Sequence, residues 1–106
     1  MGKIRHPGED EFYEAILSLQ TVEDCQLFFE DVCTIKELQA ISQRFRVACL
    51  LDEGSNYIEI SEATGASSAT ISRVNRCLNY GEGYRRALQC LKKAGKIRND
   101  GCNTEE

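Results

Sequence analysis

Six cysteines, a single histidine, and a run of hydroxyl side chains beside two arginines are the residues in this sequence with chemistry to offer. The thiols are Cys25, Cys33, Cys49, Cys77, Cys90 and Cys102. A structural zinc site needs Cys or His ligands paired at short spacing. Here no two cysteines form a Cys-x-x-Cys, the nearest pair (Cys25 and Cys33) is eight residues apart, and His6 is the only imidazole. The spacing therefore predicts no metal site. Five of the six fall in segments that read as helices, where reduced cysteine serves as a small buried apolar residue. General acid–base or nucleophilic catalysis needs a base held beside an acid or a nucleophile. His6 lies in an N-terminal arm and no thiol has an evident basic companion, so no enzyme and no cofactor are expected. A redox sensor using Cys49 or Cys77 is a smaller alternative.

The hydroxyl run is more informative. It reads Gly65-Ala66-Ser67-Ser68-Ala69-Thr70-Ile71-Ser72-Arg73-Val74-Asn75-Arg76. Gly65 can take the left-handed turn conformation that a side chain would penalise, and Ser67 is a good N-cap for a following helix. Ile71, Val74 and Leu78 recur at helical spacing and predict an inward face. That leaves Ser68, Ala69, Thr70, Ser72, Arg73 and Arg76 on or near the outer face. Small hydroxyl and methyl groups at a helix start permit close approach to base edges and thymine methyls in a major groove. Helix N-terminal N–H groups and arginines favour phosphates.

The preceding segment, Tyr57 to Thr64, reads as a short helix with Ile58 or Ile60 and Ala63 as anchors. Two helices joined by a short turn containing Gly make the helix-turn-helix layout, here over about Tyr57 to Leu78. Glu59 and Glu62 count against it, because a surface facing phosphates prefers Lys or Arg. The plainer reading is an ordinary helical hairpin with a Gly turn.

Other helices must position this hairpin. One is predicted from Asp10 to Leu19, with Phe12, Ile16 and Leu19 on one face. Another starts after Thr21, a cap followed by Glu23 and Asp24 at the positive end of the helix dipole, with Leu27, Phe28 and Val32 as its apolar side. Thr34-Ile35-Lys36-Glu37 is a capping box. It opens a long helix striped by Leu38, Ile41, Phe45, Ala48 and Leu51, which Gly54 stops. After the hairpin, Gly81 and Gly83 break the chain, and a last helix over Tyr84 to Ala94 uses Leu88 and Leu91. The fold class is all-α with about six helices. Residues 1–9 read as a flexible arm, 10–94 as a single helical domain, and 95–106 as a disordered polar tail.

At 106 residues a chain buries only roughly 60–70% of its unfolded surface, which makes self-association an expectation. The net charge is −4, yet it is unevenly placed: residues 1–53 carry −6, residues 54–94 carry +3, and the remainder −1. The positive stretch coincides with the hairpin, so the acidic balance does not exclude nucleic acid. With no signal-peptide pattern and no apolar run long enough to span a bilayer, a cytoplasmic location is expected.

The run Gly65 to Arg73 resembles the recognition-helix signature of the Trp repressor superfamily. Glu37-Leu38-Gln39-Ala40-Ile41-Ser42-Gln43-Arg44, with Arg73-Val74-Asn75-Arg76-Cys77-Leu78-Asn79-Tyr80-Gly81, is closer to its YerC/YecD-type branch, and the similarity spans roughly residues 10–92. The resemblance implies a six-helix, Trp-repressor-like intertwined homodimer that presents two recognition helices about one DNA turn apart to a roughly palindromic operator. It implies a DNA-binding set of Ser67, Ser68, Ala69, Thr70, Ser72, Arg73 and Arg76. Tryptophan-binding members clamp the indole between two arginines, which fall at Arg44 and Arg73, with Thr34 at a carboxylate-side position. The family glycine after the second arginine is Val74 here and the serine four residues after it is Cys77. Val74 would project bulk toward the indole, so the effector pocket (Thr34, Arg44, Arg73, Val74, Cys77) reads as vestigial, with the two arginines turned to ion pairs or phosphates. The expected function is a homodimeric repressor for which tryptophan is not the expected ligand, while a different or smaller effector stays open. The alternative from another class is a protein-binding module of a regulatory complex using the same hairpin surface.

Overall fold

The computed structural model describes residues 6–97. Most of the predicted arm (residues 1–5) and most of the predicted tail (98–106, with Cys102) lie outside the described residues. The elements are α1 Glu9–Ser18, α2 Val22–Val32, α3 Ile35–Asp52, α4 Tyr57–Thr64, α5 Ser68–Tyr80 and α6 Gly83–Lys93. The described residues are all-α, as the sequence predicts, and none of these helices is long and apolar enough to cross a membrane.

Local chemistry sets the boundaries. The Thr21 side chain accepts from the Asp24 N–H and starts α2. Thr34 and Glu37 form the anticipated capping box: the Glu37 N–H donates to Thr34 Oγ1 at 3.0 Å and the Thr34 N–H to Glu37 Oε1 at 2.8 Å. At the other end of α3, Gly54 sits at φ +97. There the Ser55 N–H reaches back to the Leu50 carbonyl and the Gly54 N–H to that of Leu51, both at 3.0 Å. That is the paired closure a left-handed residue makes possible at a helix end.

The chain divides into two compact units, Met1–Leu38 and Gln39–Glu106. In the first, α1 and α2 contain no buried residue. Their association is aromatic: Phe12 stacks on Phe28 at 5.9 Å and meets Phe29 edge-on at 6.4 Å, while Phe28 and Phe29 form a T at 5.4 Å. Leu17, Val22 and Leu27 remain 78%, 74% and 65% exposed, so this hairpin leaves much of its apolar surface uncovered.

The second unit has a real core. Val47, Ala48 and Leu50 of α3 pack with Ile60 of α4, Ala66 of the turn, and Ile71 and Val74 of α5. A second cluster joins Cys49 to Leu78 and Leu88, with Phe45, Leu51, Tyr84 and Ile97 against it. Lys92 Nζ lies 2.6 Å from Asp52 Oδ2, a half-buried ion pair linking α6 to the end of α3.

Three expectations are corrected by this packing. The α3 stripe holds only in part, since Ile41 is exposed while four consecutive residues, Val47 to Leu50, are buried. Clusters on two sides of the last turns of α3 bury several faces, which a single-stripe reading does not anticipate. Ala63 is exposed and Ala66 is buried in its place, because the inward face of α4 runs from Ile60 to Thr64. Finally, Cys77 and Cys90 are exposed rather than core residues; among the described residues only Cys49 is a buried cysteine.

Candidate nucleic-acid interface

The α4–α5 hairpin is built by caps at three points. Asn56 and Glu59 form a reciprocal capping box at the start of α4, with the Asn56 N–H donating to Glu59 Oε1 and the Glu59 N–H to Asn56 Oδ1, both at 2.9 Å. Glu59 therefore spends its carboxylate on its own helix, and the objection it posed to a phosphate-facing surface is reduced. Glu62 remains exposed.

Gly65 closes α4 at φ +77, where an L side chain would be strained. Next to it Thr64 is the pivot of the turn. Its hydroxyl donates to the Ile60 carbonyl at 2.8 Å and accepts from the Ala66 N–H at 3.1 Å. Its carbonyl accepts from Gln43 Nε2 at 3.1 Å, so the turn is fastened to α3 as well. The sequence reading missed Thr64, Gln43 and the Asn56 box. The box was visible as Asn-x-x-Glu; the two turn contacts needed a fold to bring residues 43 and 64 together.

Ser67 caps α5 as anticipated, accepting from the Thr70 N–H at 3.1 Å. Its own hydroxyl donates to Thr70 Oγ1 at 3.2 Å, fixing the two side chains together. Ile71 and Val74 are 0% and 1% exposed. The opposite face carries the predicted set: Ser67, Ser68, Ala69, Ser72, Arg73 and Arg76 are exposed and Thr70 is half-buried. Among the described residues neither Arg73 nor Arg76 has a hydrogen-bond or ion-pair partner. Arg85 does have one role within the chain: it caps the far end of α5, reaching the carbonyls of Leu78 at 3.1 Å and Asn79 at 2.7 Å.

The five residues of the expected effector pocket do different work. The Thr34 hydroxyl caps α3. Arg44 and Arg73 are exposed and, among the described residues, form no ion pair. Val74 does not project into open space; it belongs to the core cluster with Ile60 and Ile71. Residue 74 lies on the inward face of α5, three positions after Ile71, as its spacing predicts. Cys77 lines an open apolar groove of about 420 Å³ with Phe45, Gly81, Gly83, Tyr84 and Ala87, floored by the stacked Phe45 and Tyr84 rings at 6.4 Å. Among the described residues no group of three His, Cys, Asp or Glu is placed to hold a metal.

A short capped helix, a left-handed Gly turn and a second helix with a buried inner face and a small, polar and cationic outer face define a helix-turn-helix protein. The chain belongs to the Trp repressor protein family, whose model matches residues 8–92. It is 50% identical over 92 residues to the uncharacterized protein YerC of Bacillus subtilis (strain 168), covering 86% of this chain and 88% of that protein. Its fold is similar to the crystal structure of a TrpR-like protein from Eubacterium eligens, with a TM-score of 0.79, 47% identity, and coverage of 90% of this chain and 96% of that one. A candidate Trp repressor from Staphylococcus aureus is similar at a TM-score of 0.78 and 41% identity, over 90% and 93% of the two chains. The family is one of helix-turn-helix regulators, not of enzymes.

Proposed function

We propose that this protein is a homodimeric, sequence-specific transcriptional regulator, acting as a repressor, that places α5 in the major groove of a roughly palindromic DNA operator. The observation that carries the proposal is the division of α5 into two faces. Ile71 and Val74 are sealed in the core, while Ser68, Ala69, Ser72, Arg73 and Arg76 are exposed. The two arginines are uncommitted among the described residues. Arginines without an internal partner are available for phosphates and guanine edges, and the small residues before them allow the helix start to approach the bases.

Dimerisation is supported by the first unit. Its α1–α2 hairpin exposes Leu17, Val22 and Leu27 at 78%, 74% and 65%, a surface that a second chain would cover. Two copies of α5 related by a twofold axis would meet successive turns of a duplex, about 34 Å apart. No cofactor or metal is assigned, and tryptophan is not proposed as a ligand.

Selection of genomic DNA fragments by the purified, reduced protein tests this reading. Enrichment of a site with twofold symmetry is the expected result. A second reading, in which the hairpin grips a protein, is favoured by Ile58, 72% exposed on α4, and by Glu62, exposed one turn further along the same helix. Absence of DNA binding even at low salt would shift the weight to that reading.

A further inference from the structure

We infer that Tyr80 is a further DNA contact, donating its hydroxyl to a backbone phosphate at the rim of the groove that the start of α5 enters. The inference rests on the DNA reading proposed above and extends its contact set, which ends at Arg76. With about 3.6 residues per turn, each residue of a helix is rotated roughly 100° from the last. The buried Ile71, Val74 and Leu78 mark one side of α5. Ala69, Arg73, Arg76 and Tyr80, at i, i+4, i+7 and i+11, form a line along the opposite side. All four are exposed, and at 86% Tyr80 is the barest large hydrophobic side chain among the described residues. A single exposed aromatic needs no explanation by itself. This one continues a line that already holds two arginines without an internal partner among the described residues, so the same polyanion would meet all of it.

Its place along the helix decides which part of a duplex it meets. Tyr80 follows Ala69 by eleven residues, about 16 Å of helix, against a major groove roughly 12 Å wide. A recognition helix that reads base edges with its first turns therefore carries its last turn to the sugar–phosphate wall. The C-terminal end of a helix is its negative end and would repel a phosphate. On α5 that end is already covered by a cation: Arg85 donates from Nε to the Leu78 carbonyl at 3.1 Å and from Nη2 to the Asn79 carbonyl at 2.7 Å. A phosphate can thus approach Tyr80 beside a guanidinium rather than beside bare carbonyls. Tyrosine suits that position, since its hydroxyl is a donor to phosphate oxygens and its ring has few rotors to immobilise.

The test titrates the full chain, as wild type, Tyr80→Phe and Tyr80→Ala, against the selected operator and a scrambled duplex of equal length. Both variants are expected to lose about tenfold in affinity per half-site, the effect of one hydrogen bond to a charged group. The loss should be equal for the two duplexes, because a phosphate contact carries no sequence information. The salt dependence of binding should not change, because a hydroxyl releases no counterion. Ethylation of operator phosphates should reveal one interfering position at the edge of each half-site that disappears with Tyr80→Phe. Melting temperature and sedimentation should match wild type, since the side chain is almost wholly exposed. Wild-type affinity and an unchanged ethylation pattern in both variants would overturn the inference. So would a loss confined to the operator, which places Tyr80 on a base edge, or a loss of self-association in Tyr80→Ala, which makes it a contact between copies. A wild type that binds neither duplex at low salt would contradict the DNA reading itself, and the inference with it.

Discussion

Arg73 and Arg76 stand three residues apart on one helix, so both can face the same strand of a duplex. Each is long, permanently charged and without an internal partner among the described residues, and neither is needed by the fold. Replacing Arg73 by Ala is therefore expected to weaken operator binding by about 1–3 kcal/mol while leaving helicity and thermal stability unchanged. Thr70→Ala should weaken it as well, since the Ser67–Thr70 hydroxyl pair is lost from the N-terminal end of α5. Titration of labelled operator with each variant, alongside circular dichroism, checks both statements.

The thiols separate at the same scale. Burial pushes the Cys49 thiol above its ordinary value of 9.0, opposed by the charge of Arg46. The folded state holds that proton more tightly than the unfolded state. Its contribution to stability is complete below the ordinary thiol value and is lost as pH rises through the folded one. Wild type should thus lose stability above about pH 9 more steeply than Cys49→Ala, as urea denaturation at pH 7 and pH 10 would show. Thiol reagents at neutral pH should modify exposed Cys77 and Cys90 well before Cys49.

The helices themselves were largely legible because each start carries its own chemistry. Thr21, the Thr34–Glu37 box and Ser67 act locally, so their hydrogen bonds need no tertiary context. The same held for Gly65, whose φ of +77 is a backbone demand written in the residue type. Burial was less legible. Val47 and Leu50 gave no stripe signal, because the end of α3 is covered on more than one side by α4, α5 and α6 residues. Val74 was readable as inward by its spacing from Ile71, and the packing places it in the core cluster. The Gln43–Thr64 contact joins residues 21 positions apart and could not be read locally at all. Helix-scale energetics follow from these contacts. Ile71→Ala should cost about 2–5 kcal/mol, since it empties a wholly buried site. Glu59→Ala should cost about 1 kcal/mol, through loss of the α4 box. Chemical denaturation of each variant measures both.

For the whole molecule, the polarity of charge and the uncovered first unit belong to one account. Residues 1–53 carry −6 and residues 54–94 carry +3, so the positive stretch coincides with the hairpin proposed to meet the duplex. The apolar α1–α2 surface calls for a second chain, so sedimentation equilibrium should return twice the 11.9 kDa chain mass. The stability of that dimer should rise with protein concentration. Substituting Leu27, 65% exposed within one chain, by Glu should shift the equilibrium toward monomer without disturbing the α4–α5 hairpin.

The central claim is that α5 reads sequence through Arg73 and its neighbours, and one binding experiment addresses it most directly. Wild type and Arg73→Ala are titrated against the selected operator and a scrambled duplex of equal length at two salt concentrations. The account predicts that wild type prefers the operator by about a thousandfold or more. It also predicts that Arg73→Ala loses much of that preference while binding to the scrambled duplex remains weak and strongly salt-dependent. Equal affinity of wild type for both duplexes, or an Arg73→Ala protein that discriminates as well as wild type, would contradict it.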